Sequence, residues 1–271
     1  MNYSHLAQAC LLLALAWPAM AQVELETVTY EHDGVTLEGV LAYEDAEVGP
    51  RPAVLLVHEW WGRGDHMTRR AKQLAELGYA AFALDMYGQG KLTDDPTQAQ
   101  TWATTYYTDR DLARARLATG LATLRDQPMV DPSRVAVIGY CFGGTMAFEL
   151  AYAGLGVDGA VSFHGNPLAP MDGDDLDARL LVLHGGDDPL VPMDTVAGLL
   201  DALTQAGADT QVHIFSGAQH SFTNRDADAH GIDGVSYDAT ADRRSWQQMR
   251  LFFDELWGKA QPTTTIEAAE D

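Results

Sequence analysis

The chain has 271 residues, which is enough for one large domain or two small ones. Its hydrophobic content of 46% supports a sizeable core and excludes a wholly disordered chain. The chain has 39 acidic and 17 basic residues and a formal net charge of −22, which argues against nucleic acid as a partner because phosphates bind basic surfaces. The acidity fits either adaptation to a saline habitat or ordinary acidic drift, and it carries no information on the fold.

Residues 1–21 have the features of a secretory signal peptide. The apolar run at 10–16 is followed by an Ala-x-Ala site, which predicts cleavage after Ala21 and an exported protein, periplasmic or secreted. The run is shorter than the roughly 20 apolar residues that span a bilayer, so no membrane span is predicted in the mature chain. The alternative is an uncleaved, buried helix. Cleavage removes Cys10 and leaves Cys141 without a partner for an intramolecular disulfide.

A β-hairpin and a buried strand are predicted next. Residues 24–30 and 35–42 are the two strands of the hairpin, and Asp33-Gly34 supplies its turn. The continuous apolar run at 53–57 is typical of a strand that is buried on both faces of a sheet.

Helices and strands alternate along the rest of the chain. Helices are predicted at 65–77, 96–108, 109–125, 143–152, 193–206 and 239–257. Strands are predicted at 79–84, 134–139, 158–163, 180–184 and 211–215. This alternation predicts an α/β fold, with a mostly parallel central sheet and helices on both faces, in one domain over 22–260. Residues 226–238 are predicted to contain no helix or strand and to form either a lid or a surface loop. Residues 261–271 are predicted to be a disordered acidic tail.

The segment Gly139-Tyr140-Cys141-Phe142-Gly143 follows a predicted strand and begins a predicted helix. This is the layout of a nucleophile elbow with cysteine in place of serine, in which small residues let the backbone turn sharply. The start of the helix favours a thiolate and a developing oxyanion. A buried structural cysteine is the other interpretation, but it would not need this context. We therefore predict that Cys141 is a nucleophile.

An acid and a base for this nucleophile follow two later strands. Asp188 is favoured over the adjacent Asp187 because it occupies the acid position of a G-x-x-D-x-x-V-P run, and Asp187 is then a turn residue. His220 follows the last predicted strand. The order Cys141, Asp188, His220 is the order of nucleophile, acid and base in α/β-hydrolases. Structural positions are assigned to His5, His32, His66, His184, His213 and His230.

The segment His58-Glu59-Trp60-Trp61 follows the first buried strand, where this fold places the second oxyanion-hole amide. Because no second histidine lies four residues after His58, no zinc site is predicted. Glu59 is predicted to face the nucleophile's pocket, and the alternative is a solvated loop charge. For the two tryptophans the alternative is simple wall packing.

Five segments together resemble the dienelactone hydrolase family. They are HEWWG at 58–62, LDMYG at 84–88, GYCFGG at 139–144, GGDDPLVP at 185–192 and GAQHSF at 217–222. The resemblance covers about residue 24 to 258 and implies an α/β-hydrolase with a triad of Cys141, His220 and Asp188. It also implies that the backbone amides of Trp60 and Phe142 form the oxyanion hole. The resemblance further implies that Glu59 holds the resting thiol protonated until substrate binding displaces it. No metal and no organic cofactor is expected.

The sequence departs from the family at the two arginines that hold the carboxylate of dienelactone. One position falls at Gly88 and Gln89, and the other falls at Thr223 and Asn224, with Arg225 one residue late. A guanidinium that binds in a bidentate manner is the main anchor for such a carboxylate. The departure favours neutral esters or lactones over dienelactone as substrates.

The predicted substrate pocket contains Trp61, Tyr87, Tyr140, Asn224 and Arg225. The favoured function is hydrolysis of a small-molecule ester or lactone through a thioester intermediate. The alternative is a non-catalytic protein that binds a small ligand on the same fold, and the presence of a complete triad argues against it. The sequence carries no signal for an oligomeric state.

Overall fold

The computed structural model describes residues 22–45 and 49–258; the predicted signal peptide 1–21 and the predicted tail 261–271 lie outside them. The strands are β1 (Val23–His32), β2 (Val35–Glu44), β3 (Arg51–Val57), β4 (Ala80–Ala83), β5 (Val130–Tyr140), β6 (Gly159–Phe163), β7 (Arg179–Gly185) and β8 (Thr210–Phe215). The helices are α1 (Asp65–Ala75), α2 (Pro96–Thr108), α3 (Arg110–Arg125), α4 (Phe142–Tyr152), α5 (Met193–Ala206), α6 (Ala239–Trp257) and a short 3-10 helix (Ala227–His230). None of these helices is both long and apolar enough to cross a bilayer.

The strands form a single sheet in the order β1-β2-β4-β3-β5-β6-β7-β8. Strand β2 pairs in antiparallel fashion with β1 and with β4, and the remaining neighbours are parallel. This arrangement confirms the predicted mostly parallel sheet. Because parallel strands end at the same edge, the connections that follow β3, β5, β6, β7 and β8 come together there.

The turn between β1 and β2 has the geometry that its sequence predicts. Asp33 and Gly34 have φ values of 50° and 72°, and they connect the paired residues His32 and Val35. A two-residue hairpin turn of this type needs positive φ at both central positions, which Asp-Gly adopts readily. The predicted hairpin is therefore confirmed.

The sheet separates two apolar cores. Along β3, Leu55 and Val57 point into the core that helices α2 to α5 cover, whereas Val54 and Leu56 point into the core that α1 and α6 cover. All four side chains are fully buried. Since successive side chains of a strand point to opposite faces, a strand with helices on both faces needs apolar residues at every position. This explains the unbroken apolar run of β3.

The segment 226–238 differs from its prediction. Within the described chain, the longest connection without a helix or strand is 164–178, and 226–238 contains the 3-10 helix. Its backbone bonds to both sides of His220: the Gly234 carbonyl accepts from the His220 amide at 3.0 Å, and the Ser236 amide donates to the His220 carbonyl at 3.1 Å. The segment is therefore fastened to the residue that is predicted to be the base.

Candidate active site

Cys141 occupies the sharp turn between β5 and α4, with φ 54° and ψ −116°. A Cβ atom on Gly139 would lie 1.8 Å from the Gly143 carbonyl oxygen, and one on Gly143 would lie 2.2 Å from the Val57 carbonyl oxygen. Any side chain at 139 or 143 would collide with backbone. The glycines therefore allow a turn that holds Cys141 in a backbone conformation costing about 1–3 kcal/mol for a residue other than glycine.

The three residues of the predicted triad are in contact. His220 Nε2 lies 3.1 Å from Cys141 Sγ, and His220 Nδ1 lies 2.8 Å from Asp188 Oδ2. The other oxygen of Asp188 accepts the backbone amides of Leu190 at 2.9 Å and Val191 at 3.0 Å. Asp188 and His220 are buried, and Cys141 is partly exposed. The structure thus places Asp188 in contact with His220, and Asp188 is the aspartate that the sequence favours over Asp187.

The surroundings of His220 favour its protonated form. Burial alone would lower the pKa of the imidazole, but the negative charge of an ionised Cys141 and the hydrogen bond to Asp188 outweigh burial and raise it to about 10. An imidazole with a raised pKa accepts a proton from the thiol more readily. The arrangement therefore prepares His220 to accept the proton of Cys141 and to bear the resulting positive charge next to Asp188.

Glu59 is buried beside the triad and contacts the loop that follows His220. Its Oε1 accepts from Ser221 Oγ at 3.1 Å, its Oε2 accepts from Asn224 Nδ2 at 2.6 Å, and His66 Nδ1 lies 3.5 Å from Oε2. Burial raises the pKa of the carboxyl, but the interactions with His66 and Ser221 lower it to about 2. The thiol, in contrast, has its hydrogen bond with His220. The role of Glu59 in keeping the thiol protonated stays a prediction.

The low pKa of Glu59 has a measurable consequence for stability. A carboxyl whose pKa falls from 4.5 in the unfolded chain to about 2 on folding stabilises the fold fully above pH 4.5, and this contribution disappears as the pH falls towards 2. We expect Glu59→Gln, which cannot titrate, to be destabilising at pH 6 and less so at pH 3. Urea unfolding at both pH values measures this; the exposed Glu76→Gln is the control, and an equal effect of Glu59→Gln at both pH values would contradict it.

The predicted oxyanion-hole residues lie next to the elbow. The elbow packs against the end of β3, since a Cβ on Gly143 would lie 2.7 Å from the His58 carbonyl oxygen. Trp60, two residues further on, lines the same cavity as Cys141. Phe142 is the first residue of α4, where an amide has no acceptor within the helix. Both positions are compatible with the predicted role of their amides, which stays a prediction.

A cavity of about 470 Å³ opens above the triad. Its lining consists of Trp60, Trp61, Gln100, Tyr107, Cys141, Asn166, Leu168, Leu190, Val191, His220, Ser221, Ile232 and Val235. The lining is mainly apolar, and it includes no lysine, arginine, aspartate or glutamate. Such a cavity suits a small uncharged ligand with apolar groups.

Two aromatic residues of the predicted pocket lie elsewhere. Tyr140 is fully buried in the core on the α1 and α6 side, where its ring stacks on Phe163 with centroids 4.6 Å apart. Tyr87 packs against the ring of Phe142, 5.6 Å between centroids, and does not line the cavity. The prediction for these two residues was wrong because proximity to Cys141 in sequence or at a strand end does not decide which face a side chain takes.

The polar residues of the predicted pocket also lie outside the cavity. Asn224 turns inward to bind Glu59, as described above. Arg225 is exposed and lines a separate surface cleft together with Arg69 and Lys72. Of the five predicted pocket residues, Trp61 alone lines the cavity. The late position of Arg225 thus places its guanidinium away from the triad.

Most of the cavity wall was not predicted from the sequence. Gln100 and Tyr107 come from α2, and Ile232 and Val235 come from the segment 226–238. Nothing in their local sequence separates these residues from ordinary helix and loop residues. Asn166 and Leu168 also line the cavity, and the position of the 164–178 connection after a central strand is the signal that indicates them.

Nothing in residues 22–45 and 49–258 resembles a metal site, since no three His, Cys, Asp or Glu side chains gather to hold an ion. Both ring nitrogens of His58, the first residue of the HEWWG segment, contact backbone atoms. Its Nδ1 lies 2.6 Å from the Glu59 carbonyl oxygen, and its Nε2 accepts from the Met86 amide at 3.2 Å. Its nitrogens are therefore occupied in holding the loop that carries Glu59.

Comparison with known proteins places this geometry in context. The model of the dienelactone hydrolase family matches residues 37–257. The chain is 27% identical over 237 residues to Protein usf of Aquifex pyrophilus, covering 85% of this chain and 98% of that protein. It is 40% identical to the solved dienelactone hydrolase-like promiscuous phosphotriesterase P91 from metagenomic libraries, with a TM-score of 0.83 and coverage of 86% and 98%. Thermogutta terrifontis esterase 2 shares the fold at 18% identity and a TM-score of 0.61, with coverage of 88% and 96%. The predicted α/β-hydrolase fold is confirmed.

Proposed function

Because this chain belongs to the dienelactone hydrolase family, we propose that it hydrolyses uncharged carboxylic esters or lactones with Cys141 as the nucleophile. The observation that carries the proposal is the continuous line of contacts from Cys141 Sγ through His220 to Asp188, at a cavity whose lining contains no lysine or arginine. A protein that only binds a ligand has no need of this alignment.

In the first half of the reaction, His220 Nε2 takes the proton of the Cys141 thiol. The thiolate attacks the carbonyl carbon of the ester, and the carbonyl electron pair moves to oxygen. The amides of Trp60 and Phe142 stabilise this oxyanion, at about 3 kcal/mol for each donor. When the intermediate collapses, the bond to the alkoxy oxygen breaks, and His220 returns its proton to the departing alcohol. The acyl group remains on Sγ as a thioester.

In the second half, His220 removes a proton from water, and the resulting hydroxide attacks the thioester carbonyl. The second intermediate expels the Cys141 sulfur, which takes back the proton from His220, and the carboxylic acid leaves. Asp188 remains ionised through both halves; it holds His220 in the tautomer that presents Nε2 to the sulfur and stabilises the imidazolium. These steps require only residues of this chain and water.

The preference for uncharged substrates follows from the cavity wall. A substrate carboxylate needs a hydrogen-bonding cation when it is removed from water. The cavity lining offers carboxamides at Gln100 and Asn166 and a hydroxyl at Ser221, but no guanidinium or ammonium group. Arg225 is exposed in a separate cleft. The desolvation of a free substrate carboxylate therefore costs more free energy than its hydrogen bonds in the cavity return.

A second candidate activity is the cleavage of uncharged phosphotriesters at the same site. The 40% identity to a protein described as a promiscuous phosphotriesterase favours it. Attack by Cys141 on phosphorus would form a sulfur–phosphorus bond and break the bond to the aryloxy group, which leaves as the phenol after protonation by His220. A phosphotriester is uncharged, so it meets the same requirement of the cavity.

The proposal is tested with two esters of similar size. We expect p-nitrophenyl butyrate to be hydrolysed with a kcat/KM at least about tenfold above that of the mono-p-nitrophenyl ester of succinic acid, because the second ester brings an unpaired carboxylate. Acid quenching during turnover should trap one butyryl group on Cys141, detectable by mass spectrometry.

Each outcome decides between the candidates. Equal rates for the two esters would contradict the preference for uncharged substrates. Absence of any acyl adduct during turnover would contradict the thioester route. Tight binding of butyrate esters without turnover would favour the ligand-binding alternative. Paraoxon, tested in parallel, decides the phosphotriester candidate by the release of p-nitrophenol.

A further inference from the structure

His164 is a buried histidine beside the triad to which neither the sequence motifs nor the mechanism assigns a role. It directly follows β6, its side chain is fully buried, and its φ is 41°. Its ring stands edge-on to that of His220, with centroids 5.5 Å apart, and edge-on to that of Phe222 at 5.1 Å. It therefore packs directly against the predicted base.

The hydrogen bonds of His164 determine which of its nitrogens carries the proton. The amide N–H of Cys141 points to the Phe163 carbonyl oxygen at 3.0 Å and to His164 Nδ1 at 3.2 Å. Because an amide can only donate, Nδ1 must be unprotonated to accept from it. The proton then resides on Nε2, which lies 2.7 Å from Thr223 Oγ1 and donates to it. Thr223 thus stabilises the Nε2-protonated tautomer of His164, the form in which Nδ1 can accept from the Cys141 amide.

Thr223 itself is held firmly from the other side. Its carbonyl oxygen accepts from an Arg70 guanidinium nitrogen at 3.0 Å, and Arg70 is in turn paired with the buried Asp242. Thr223 lies three residues after His220 in the same loop. The path Cys141–His164–Thr223 therefore joins the elbow to the loop that carries the base, by a route that does not involve the triad contact.

The protonation state of His164 fits this arrangement. Burial lowers the pKa of His164 well below its usual value, and the neighbouring His220 lowers it further. The other charged or titratable groups that act on it are Glu59, which raises its pKa, and His66 and Arg70, which lower it. A neutral His164 can accept from Cys141 and places no second cation beside a protonated His220.

Backbone strain is concentrated at the same place. Among the described residues other than glycine, positive φ occurs at Cys141, His164 and Ser221, and otherwise only at Asp33 in the β1–β2 turn. Strained conformations persist where surrounding contacts over-determine them. The hydrogen bond between His164 and the Cys141 amide links two of these strained residues.

We propose that His164 and Thr223 are positioning residues. Through the Nε2-protonated tautomer of His164, they hold the Cys141 elbow and the His220 loop in the relative position that keeps Sγ in contact with His220 Nε2. Loss of the Thr223 acceptor lets the proton move to Nδ1, which then faces the amide proton of Cys141. The two donors repel each other, and the contact between Sγ and His220 Nε2 loosens. This inference rests on the proposed function only in taking Cys141 as the nucleophile.

The test measures the reactivity of the thiol directly, so it stands apart from ester turnover. Iodoacetamide alkylates Cys141 when the thiolate attacks the methylene carbon and iodide leaves. The rate is measured from pH 4 to pH 10 on the full chain for wild type, Thr223→Val and Thr223→Ser, and peptide mass spectrometry separates alkylation of Cys141 from that of Cys10. Valine has the shape of threonine without the hydroxyl, and serine restores the hydroxyl.

We expect Thr223→Val to slow alkylation about tenfold at pH values below the wild-type midpoint, because a buried donor is left without its acceptor. The midpoint of the pH–rate curve should rise by about one unit, which is the same change expressed as pH. Thr223→Ser should follow the wild-type curve. A wild-type curve for Thr223→Val, or equal slowing by Thr223→Val and Thr223→Ser, would overturn the proposal.

If circular dichroism shows that Thr223→Val does not fold, a second pair of variants tests the same proposal. His164→Asn retains an acceptor that can reach the Cys141 amide, whereas His164→Leu removes it. We expect faster alkylation of Cys141 in His164→Asn than in His164→Leu. Equal rates in these two variants would overturn the proposal.

Discussion

Cys141→Ala is expected to lower kcat/KM for p-nitrophenyl butyrate about 10⁵-fold. The variant keeps the cavity, His220 and Asp188, but it lacks the atom that forms the thioester, so water must attack the ester directly. Removal of a nucleophile from a complete triad has effects of this size in hydrolases, and the residual rate comes from binding and the oxyanion hole. Initial rates at pH 7 measure it.

Cys141→Ser is the matched control for this prediction. Serine keeps a hydrogen-bonding atom next to His220 Nε2, so the variant separates the loss of the thiol from the loss of a partner for the base. We expect no alkylation by iodoacetamide at position 141 in either variant, and thermal unfolding close to wild type, because Cys141 is partly exposed. Activity of Cys141→Ala within tenfold of wild type would place the nucleophile on another residue, and Ser221 is the serine that lines the cavity.

Gly139→Ala is expected to destabilise the fold by about 4 kcal/mol or more. The added Cβ would lie 1.8 Å from the carbonyl oxygen of Gly143, and that oxygen belongs to the first turn of α4, which packs against β3. Because backbone atoms on both sides would have to move, the elbow cannot relax by a simple rotation of a side chain. Effects of this size are found only for strain, cavities or buried charges.

Thermal unfolding measures this effect, and a decrease in Tm of about 10 °C is expected for a chain of this length. Gly198→Ala is the matched control. Gly198 lies inside α5, and a Cβ there meets no atom within 4 Å. Alanine is the better helix former by about 1 kcal/mol, so this control should raise the stability. A Tm of Gly139→Ala equal to that of wild type would show that the elbow tolerates a side chain.

The parts of the fold that the sequence predicts well are those that local chemistry decides. Asp33-Gly34 adopts positive φ and forms a hairpin turn whatever surrounds it. The apolar run of β3 has no polar face, so it must be covered on both sides. The two glycines around Cys141 have space for no side chain, and this is readable from their spacing on either side of a strand end.

The cavity, in contrast, depends on contacts between distant parts of the chain. Gln100 on α2 and Ile232 near the C-terminus line the same cavity, although no local pattern relates them. The same limit explains Tyr140, which is next to Cys141 in sequence but packs in the core on the α1 and α6 side of the sheet. It also explains His164, whose importance depends on the amide of Cys141 and the hydroxyl of Thr223 rather than on its own neighbours.

Two sides of the cavity wall differ in their connection to His220. One side is formed by segment 226–238, which is hydrogen-bonded to His220, and the other is formed by α2. Ile232 and Val235 form part of the wall, and the backbone of the same segment bonds to the amide and the carbonyl of His220. An insertion or deletion there would shift the imidazole together with the wall. Gln100 and Tyr107 lie on α2, which carries none of the triad. Evolution can therefore remodel substrate selectivity from the α2 side at little cost to turnover, and this is the side on which engineered libraries for new substrates are best placed.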